Sequence, residues 1–423
     1  MRPLRRNGTF FGRRVLAAAF VLAVCGWGLG FYGPPIYLHA VHAARGWPLA
    51  LVSAAVTTHF LVGAVVVANL PALYRRFGLA SVTKLGGLAL AAGVLGWALA
   101  AAPWQLFAAT LISGAGWAAL GGAAVNAIVS PWFVRTRPAA LSMAYNGASI
   151  GGVVFSPLWV AAIDALGFPL AALVVGVVVA VTLWVLAELW FSRTPHDLGL
   201  APDGDDTVSP SAVAAVARVS PAAKPLPRAA LWRDVRFLTL ALGMAIGLFA
   251  QVGLIAQLYS LLVPALGADG AGVAMGAATA AAIGGRTLVG WLMPPGADRR
   301  LIACANSVVQ IAGSIAFIAA AGNNVPLLLV GVLLFGAGIG NVTSMPPLIA
   351  QVEFVPADVP RVVSLIVAIS QAAYAFAPAA FGIVRDFAPP AASADPGAAP
   401  MMFAAAALLQ GLAIAAFLAG RRR

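Results

Sequence analysis

Acidic side chains are scarce in this sequence. Its 423 residues hold 13 Asp and Glu against 25 Lys and Arg, and charged residues of every kind make up 9%. A soluble domain carries roughly a quarter charged residues, so this chain lacks the surface that water requires. Cysteine is almost missing as well. Cys25 and Cys304 lie in apolar stretches without metal-ligand spacing, which excludes a disulfide framework and leaves two small packing residues. No apolar stretch holds a metal-spaced His/Asp/Glu cluster or a nucleophile with its base. This argues against a membrane-embedded enzyme, and neither a metal nor a cofactor is expected.

What is present is apolar. Hydrophobic residues are 62% of the chain and the mean hydropathy is +0.96. A core of this size cannot hide that much apolar surface, so lipid must solvate it. The 45 glycines and 29 prolines are compatible with membrane helices. A span needs about twenty apolar residues to cross roughly 30 Å. Twelve candidates follow, at 15–40, 49–73, 79–101, 105–130, 139–163, 168–191, 236–262, 271–293, 301–321, 324–350, 362–384 and 400–419. The basic tail 1–14 runs into a long apolar stretch without a small-residue cleavage site, which reads as a retained first span rather than a signal peptide.

The net charge of +12 would suggest nucleic acid in a soluble protein, but its distribution points to a membrane. Arg13, Arg14, Arg75, Arg76, Lys84, Arg135, Arg137, Arg299, Arg300, Arg361 and Arg421 fall in segments that twelve spans place on one face. Only Arg45 and Arg385 fall opposite, and only Arg286 falls inside a span. The positive-inside rule then makes both termini cytoplasmic, in a bacterial inner membrane. Residues 192–235 are rich in Pro, Ser, Asp and Ala and read as a cytoplasmic linker. It joins bundles at 15–191 and 236–419, with tails at 1–14 and 420–423. Its acids Asp203, Asp205 and Asp206 read as solvated rather than as a cation site.

The halves share features. Arg137, Pro157 and Asp164 in the fifth span parallel Arg361, Pro378 and Asp386 in the eleventh. Tyr74-Arg75-Arg76-Phe77-Gly78 parallels Ala297-Asp298-Arg299-Arg300. Parallel repeats with substrate held between them near the midplane are a transporter architecture. On these residues the chain resembles the major facilitator superfamily over nearly its whole length. It is most similar there to the monocarboxylate and oxalate/formate exchanger group. The latter likeness rests on Pro131-Trp132-Phe133, Arg137, Ala140, Gly147, Gly151, Gly152, Pro157, Gly285-Arg286, Gly290-Trp291-Leu292 and Pro195 through Gly204. The resemblance implies an all-α membrane protein of two six-helix pseudo-repeat bundles. It also implies conformational roles for Arg76, Gly78, Gly147, Gly151, Gly152, Pro157, Asp298 and Arg299. There are departures. Arg75 stands where the superfamily's loop motif has an acid, and Pro71 replaces its opening glycine. Ala282 stands where proton-coupled animal carriers have an Asp, and Gln371 and Tyr374 stand in the span where oxalate exchangers use a lysine.

Arg286 is the strongest candidate ligand. A cation in a span costs several kcal/mol unless it faces a cavity or a partner. It lies about seven residues, or roughly 10 Å, from the cytoplasmic end of its span. Its side chain leans toward the helix N-terminus, which here is the membrane middle. It either grips a substrate carboxylate through its planar fork or snorkels to the inner surface. Tyr32 and Tyr37 flank Pro34-Pro35, which should break the first span. They either orient a carboxylate there or pack in the kink. His59 either carries a coupling proton or sits neutral on a backbone carbonyl. Gln257, Gln371 and Tyr374 are the remaining binding candidates on cavity-facing spans.

The expected function is secondary transport of a small organic anion, a monocarboxylate, by alternating access. Entry of a monoanion against an inside-negative potential costs about 2.3 kcal/mol per 100 mV, so uptake needs a co-transported proton, a sodium ion or anion exchange. Efflux of a drug or hydrophobic metabolite is the alternative, and a transport-dead sensor a more distant one. The expected partners are the anion, the lipid bilayer and a proton, without nucleic acid, and the expected state is a monomer.

Overall fold

The computed structural model describes residues 10–204, 226–294, 296–386 and 397–421. Asp205 and Asp206, with the stretch 205–225 of the expected linker, lie outside the described residues. Among those described, all regular structure is helical. Twelve helices are long and apolar enough to cross a membrane. Numbered as spans 1–12, they are Phe11–Arg45, Ala50–Phe77, Leu79–Leu99, Pro103–Val129, Arg137–Leu166, Phe168–Phe191, Val235–Gly267, Asp269–Leu292, Arg299–Ala320, Val325–Glu353, Val359–Arg385 and Pro400–Ala419. The largest offset from the expected limits is five residues, where spans 1 and 7 run on to Arg45 and Gly267. Outward-facing side chains such as Leu88, Leu173, Val177, Val181 and Leu408 are exposed and apolar, a surface that only hydrocarbon solvates without cost.

The packing repeats. In the first half, span 1 packs on span 5, span 2 on 4, span 3 on 4, and span 3 on 6. Adding six to each number gives pairs 7–11, 8–10, 9–10 and 9–12, which are the contacts of the second half. The halves meet where span 2 packs on span 11 and span 5 on span 8, and the same shift interconverts these two pairs. Two six-helix bundles related by a pseudo-repeat account for these pairs, although span 12 also packs on span 7 far more extensively than span 6 does on span 1. The junction lies between the broken or glycine-rich spans.

Proline and glycine fix the breaks. Span 1 consists of two helices, Phe11–Gly30 and Gly33–Arg45. The carbonyls of Gly30 and Phe31 would accept from residues 34 and 35, both prolines without an N–H. Span 11 divides in the same way into Val359–Tyr374 and Ala377–Asp386, ahead of Pro378. Tight corners between spans 2 and 3, 5 and 6, and 7 and 8 turn on Gly78 (φ 77°), Gly167 (φ 75°) and Gly267 (φ 70°). Their ψ values of 156°, 155° and 171° put all three in a region essentially restricted to glycine. Gly78, expected to act in gating, is therefore first of all a corner residue. Arg76 beside it is exposed, with its guanidinium 5.2 Å from the Phe77 ring centroid.

Charge braces each half internally. Arg300 is 2% exposed and gives Glu353 a two-pronged ion pair, Nε to Oε1 at 2.6 Å and Nη2 to Oε2 at 2.8 Å. It also donates to Thr239 Oγ1 and to the carbonyls of Arg236 and Phe417. One side chain thus ties together spans 7, 9, 10 and 12. Asp298, expected to be a gating residue, is instead the N-cap of span 9. It accepts from the Arg300 and Leu301 N–H groups and pairs with Arg421 beyond span 12. Its polar contacts all stay within the second half.

Asp203 plays a comparable part in the first half. Its backbone takes the left-handed conformation, φ 62°, which Asp tolerates. Its carboxylate accepts from the N–H groups of Val134, Arg135 and Thr136 and from the Thr136 hydroxyl, just ahead of span 5. Burial alone would raise its pKa; the bonds from Thr136, Arg135 and Val134 outweigh this and hold the carboxyl below the usual carboxylate range. A solvated linker acid is thus corrected to a clasp between the segment after span 6 and the loop before span 5.

Two stability outcomes follow, both read from thermal melting in detergent. Arg300→Ala strands the Glu353 carboxylate and should cost about 3 kcal/mol, with Arg300→Lys in between because it cannot make the fork. Asp203→Asn should cost about 1 kcal/mol at neutral pH. Because the folded-state pKa is depressed, that contribution is complete above the unfolded value and fades as pH falls through the folded one. The gap between wild type and variant should therefore close in acid.

Candidate functional site

A cavity of about 1390 Å³ lies between the two halves, walled by spans 1, 2, 4 and 5 on one side and 7, 8, 10 and 11 on the other. It widens toward the face away from the termini, where exposed His39, Asp164 and Tyr259 line its mouth. At the opposite end it stops at Tyr145 and Arg286.

Arg286 sits on that floor with 3% of its surface exposed. Two glycines bring it there. A Cβ on Gly285 would collide with the Ala337 carbonyl, and one on Gly340 would lie 2.7 Å from the Arg286 Nε, so spans 8 and 10 touch only because both are glycine. In that contact Nε donates to the Gly340 carbonyl at 3.0 Å. Nη1 crosses to the other half, donating to the Tyr145 carbonyl at 2.5 Å and to Asn146 Oδ1 at 3.2 Å. Asn146 Nδ2 returns the link to Thr287 Oγ1 at 2.8 Å. No hydrogen bond to Nη2 and no acidic partner for the guanidinium is found among the described residues. Asp164, at the exposed mouth, is the only carboxylate among the described lining residues.

Tyr32, Gln371, Tyr374 and Arg286 are brought together in the wall of this one cavity, with Pro157. Tyr32 stands at the break in span 1. Its ring lies where a Cβ on Gly152 would be, 2.7 Å from Cζ. Gly147 and Gly151 serve a different purpose. Their missing Cβ atoms would meet the carbonyls of Phe20 and Val24, so span 5 rides on the backbone of span 1. The expected glycine ladder therefore divides into two packing positions and one that houses a cavity side chain. The Gln371 amide donates to the Phe60 carbonyl at 2.9 Å, across the contact of spans 11 and 2.

Three candidates lie elsewhere. Tyr37 is 1% exposed and wedged among Trp97, Trp159 and Phe168, with its hydroxyl donating to the Leu29 carbonyl at 3.2 Å. It repairs the helix break from behind. His59 is fully buried and outside the cavity wall, with Nε2 3.0 Å from the Gly30 carbonyl and Nδ1 2.8 Å from Ser113 Oγ. A carbonyl only accepts, so Nε2 carries a proton and satisfies one of the carbonyls that the prolines orphan. Gln257 bonds the Pro378 carbonyl and Arg385 at the outer ends of spans 7 and 11. Position along the chain defines the depth of these side chains but not the direction in which they point.

The floor continues toward the termini as a cross-half seal. Gly290 packs on Ser142 and the Pro138 carbonyl. Beyond it Gln351 of span 10 donates to Asn126 Oδ1 at 2.9 Å and Ser130 Oγ at 3.1 Å, and accepts from Arg137 Nη1 at 3.4 Å. Nothing in the sequence singles out Gln351 or Ser130. The one hint is a run of uncharged amides at span ends, which interhelical bonding explains equally well. Arg299, expected in gating, donates to the Leu348 carbonyl within its own half. Also unforeseen is an aromatic wall of Trp27, Phe31, Phe60, Trp117 and Tyr145.

Comparison with known proteins agrees with this architecture. The human organic anion transporter MFSD10 (TETRAN) superposes with a TM-score of 0.66 at 17% identity, over 97% of this chain and 99% of that one. The major facilitator transporter FucP, in its outward conformation, gives 0.66 at 15%, over 96% and 99%. No curated protein matches by sequence. The family model of the Major Facilitator Superfamily matches residues 15–378. A twelve-span membrane protein with this pseudo-repeat and a cavity between its halves, the chain belongs to the major facilitator superfamily.

Proposed function

We propose that this chain is a carrier of an organic monoanion, with the anion held by Arg286 Nη2 and the Tyr32 hydroxyl. The observation that carries the reading is a buried guanidinium that lines the cavity, with no acid beside it and no bond from Nη2 among the described residues. A cation so placed is costly in hydrocarbon, and an arriving carboxylate supplies the missing acceptor. MFSD10 is an organic anion transporter by name, which fits the same direction. Since the basic residues favour cytoplasmic termini, the cavity faces outward from a bacterial inner membrane. Alternating access then consists of parting the Gln351 seal while the mouth closes.

Coupling favours anion exchange over proton symport. The carboxylate among the described lining residues, Asp164, stands at the exposed mouth rather than beside Arg286, and His59, the expected proton carrier, is fully buried outside the cavity wall. Efflux is a second reading, supported by the width and apolar character of the cavity; the lack of an embedded acid directs it to anions rather than cationic drugs.

Uptake of labelled monocarboxylates into proteoliposomes tests the anion site. Arg286→Gln should lower flux at least a hundredfold while the variant stays folded; equal flux would reduce Arg286 to a structural tie. The seal is tested with a cysteine at Ser142, which lies between the halves against Gly290, in a chain whose two native cysteines are replaced by serine. Gln351→Ala should raise maleimide labelling of that cysteine several-fold. Unchanged labelling would show that the seal does not depend on Gln351.

A further inference from the structure

We infer that the anion this site takes is an aryl carboxylate, a single negative charge on an aromatic body, which narrows the small monocarboxylate expected from sequence. The inference rests on the anion site proposed above and names what occupies the rest of the cavity.

Size is the first argument. Sites that bury most of a drug-sized ligand enclose about 300–1000 Å³, and this cavity, at about 1390 Å³, exceeds them. A two- or three-carbon acid on Arg286 would touch little of the wall and leave the remainder to water.

The wall itself is the second. Phe31, at the break in span 1, is the hub of an edge-to-face cluster. Its ring centroid is 5.1 Å from Tyr32, 6.0 Å from Phe60 and 6.0 Å from Tyr374, and Phe60 and Tyr374 are 5.6 Å apart. Trp117 joins it, 6.4 Å from Phe31. Aromatic rings prefer offset and edge-to-face neighbours at these spacings, so a flat ring entering the cavity extends an arrangement already present. Tyr32 is both the proposed hydroxyl partner of the carboxylate and the direct neighbour of Phe31. A carboxylate at the floor therefore has its first ring carbon beside the cluster. The facing wall, with Met244, Leu248, Val252, Ile255, Met275 and Ile339, is mostly apolar and, apart from Arg286 itself, uncharged.

Charge is the third. Arg286 is the only Lys or Arg among the described lining residues, so a second carboxylate would meet only uncharged polar groups such as Ser149, Gln251 and Thr343, and an ammonium would find no acid short of Asp164 at the mouth. The single charge and the aromatic cluster together select a monoanion with one polar end.

Trp27 and Trp117 line the cavity, so intrinsic fluorescence of the purified carrier reads binding directly. Benzoate, acetate, terephthalate and neutral benzamide are the probes, with wild type, Phe31→Ala, the milder Phe60→Leu, and Arg286→Gln. Benzoate should bind at least tenfold more tightly than acetate, terephthalate and benzamide. Phe31→Ala and Phe60→Leu should each shrink the benzoate-to-acetate ratio at least threefold. Equal, Arg286-dependent binding of benzoate and acetate would overturn the aromatic inference and leave the anion site standing. Benzamide binding as well as benzoate, or benzoate binding that survives Arg286→Gln, would overturn the anion site instead. Preference for terephthalate over benzoate would overturn the single-charge argument, and no binding of any probe at millimolar concentration would overturn both.

Discussion

A charge buried without a counter-charge governs the design of this molecule. An arginine in a low-dielectric interior is held only if dipoles replace the water it has lost. The acceptors here are two main-chain carbonyls and one amide oxygen, drawn from both halves of the protein. The glycines at 285 and 340 exist in that contact because span 8 must reach the backbone of span 10. The floor of the cavity therefore lies where the halves touch, and any ligand that engages the guanidinium acts at the joint between them. A ligand shifts a conformational equilibrium only by its difference in affinity for the two states. An anion drawing Arg286 away from Tyr145 and Asn146 would supply such a difference where it matters.

Strong and weak interactions are sorted accordingly. Among the described residues, the ion pairs Lys84–Glu188, Arg300–Glu353, Arg361–Asp358 and Arg421–Asp298 each stay within one half. The links across the halves are the bonds of Arg286, the amide and hydroxyl contacts of Asn146, Thr287, Gln351, Asn126, Ser130 and Gln371, and the single long bond from Arg137. A neutral hydrogen bond contributes about 0.5–1.5 kcal/mol net, whereas stranding one member of a buried ion pair costs about 3–5 kcal/mol. Rigid bodies braced by ion pairs and joined by hydrogen bonds without a cross-half ion pair among the described residues can part repeatedly without loosening internally.

The spans are legible in the sequence because hydrocarbon demands long apolar helices, and the break in span 1 because proline removes a specific donor; the matching break ahead of Pro378 in span 11 is unforeseen. Arg286 is legible for the same reason: a charge in a span announces itself. Direction is not legible. Tyr32 stands in the break and Tyr37 five residues further on, yet the first enters the cavity and the second fills the wall behind it, as residues about 140° apart around a helix must face different neighbours. Asp298 and Asp203 read as loop residues by their place in the chain, whereas their roles depend on helix starts that only the folded chain brings within reach. The aromatic wall is invisible because Phe and Trp in a span are ordinary; only their convergence on span 1 distinguishes them.

His59 bears most directly on how transport could be driven. Its Nε2–H is committed to the Gly30 carbonyl, and the Ser113 hydroxyl, which also accepts from Trp97 Nε1, completes Nδ1. A charged imidazolium would have to form here fully buried and without an acid beside it. Taking this residue out of the proton path leaves the cavity with one fixed positive charge. Such a site is electrically compensated when an anion occupies it and uncompensated when empty. Crossing from one face to the other while loaded is then less costly than crossing while empty. That asymmetry favours a carrier that returns with another anion, and it needs no titrating group at all.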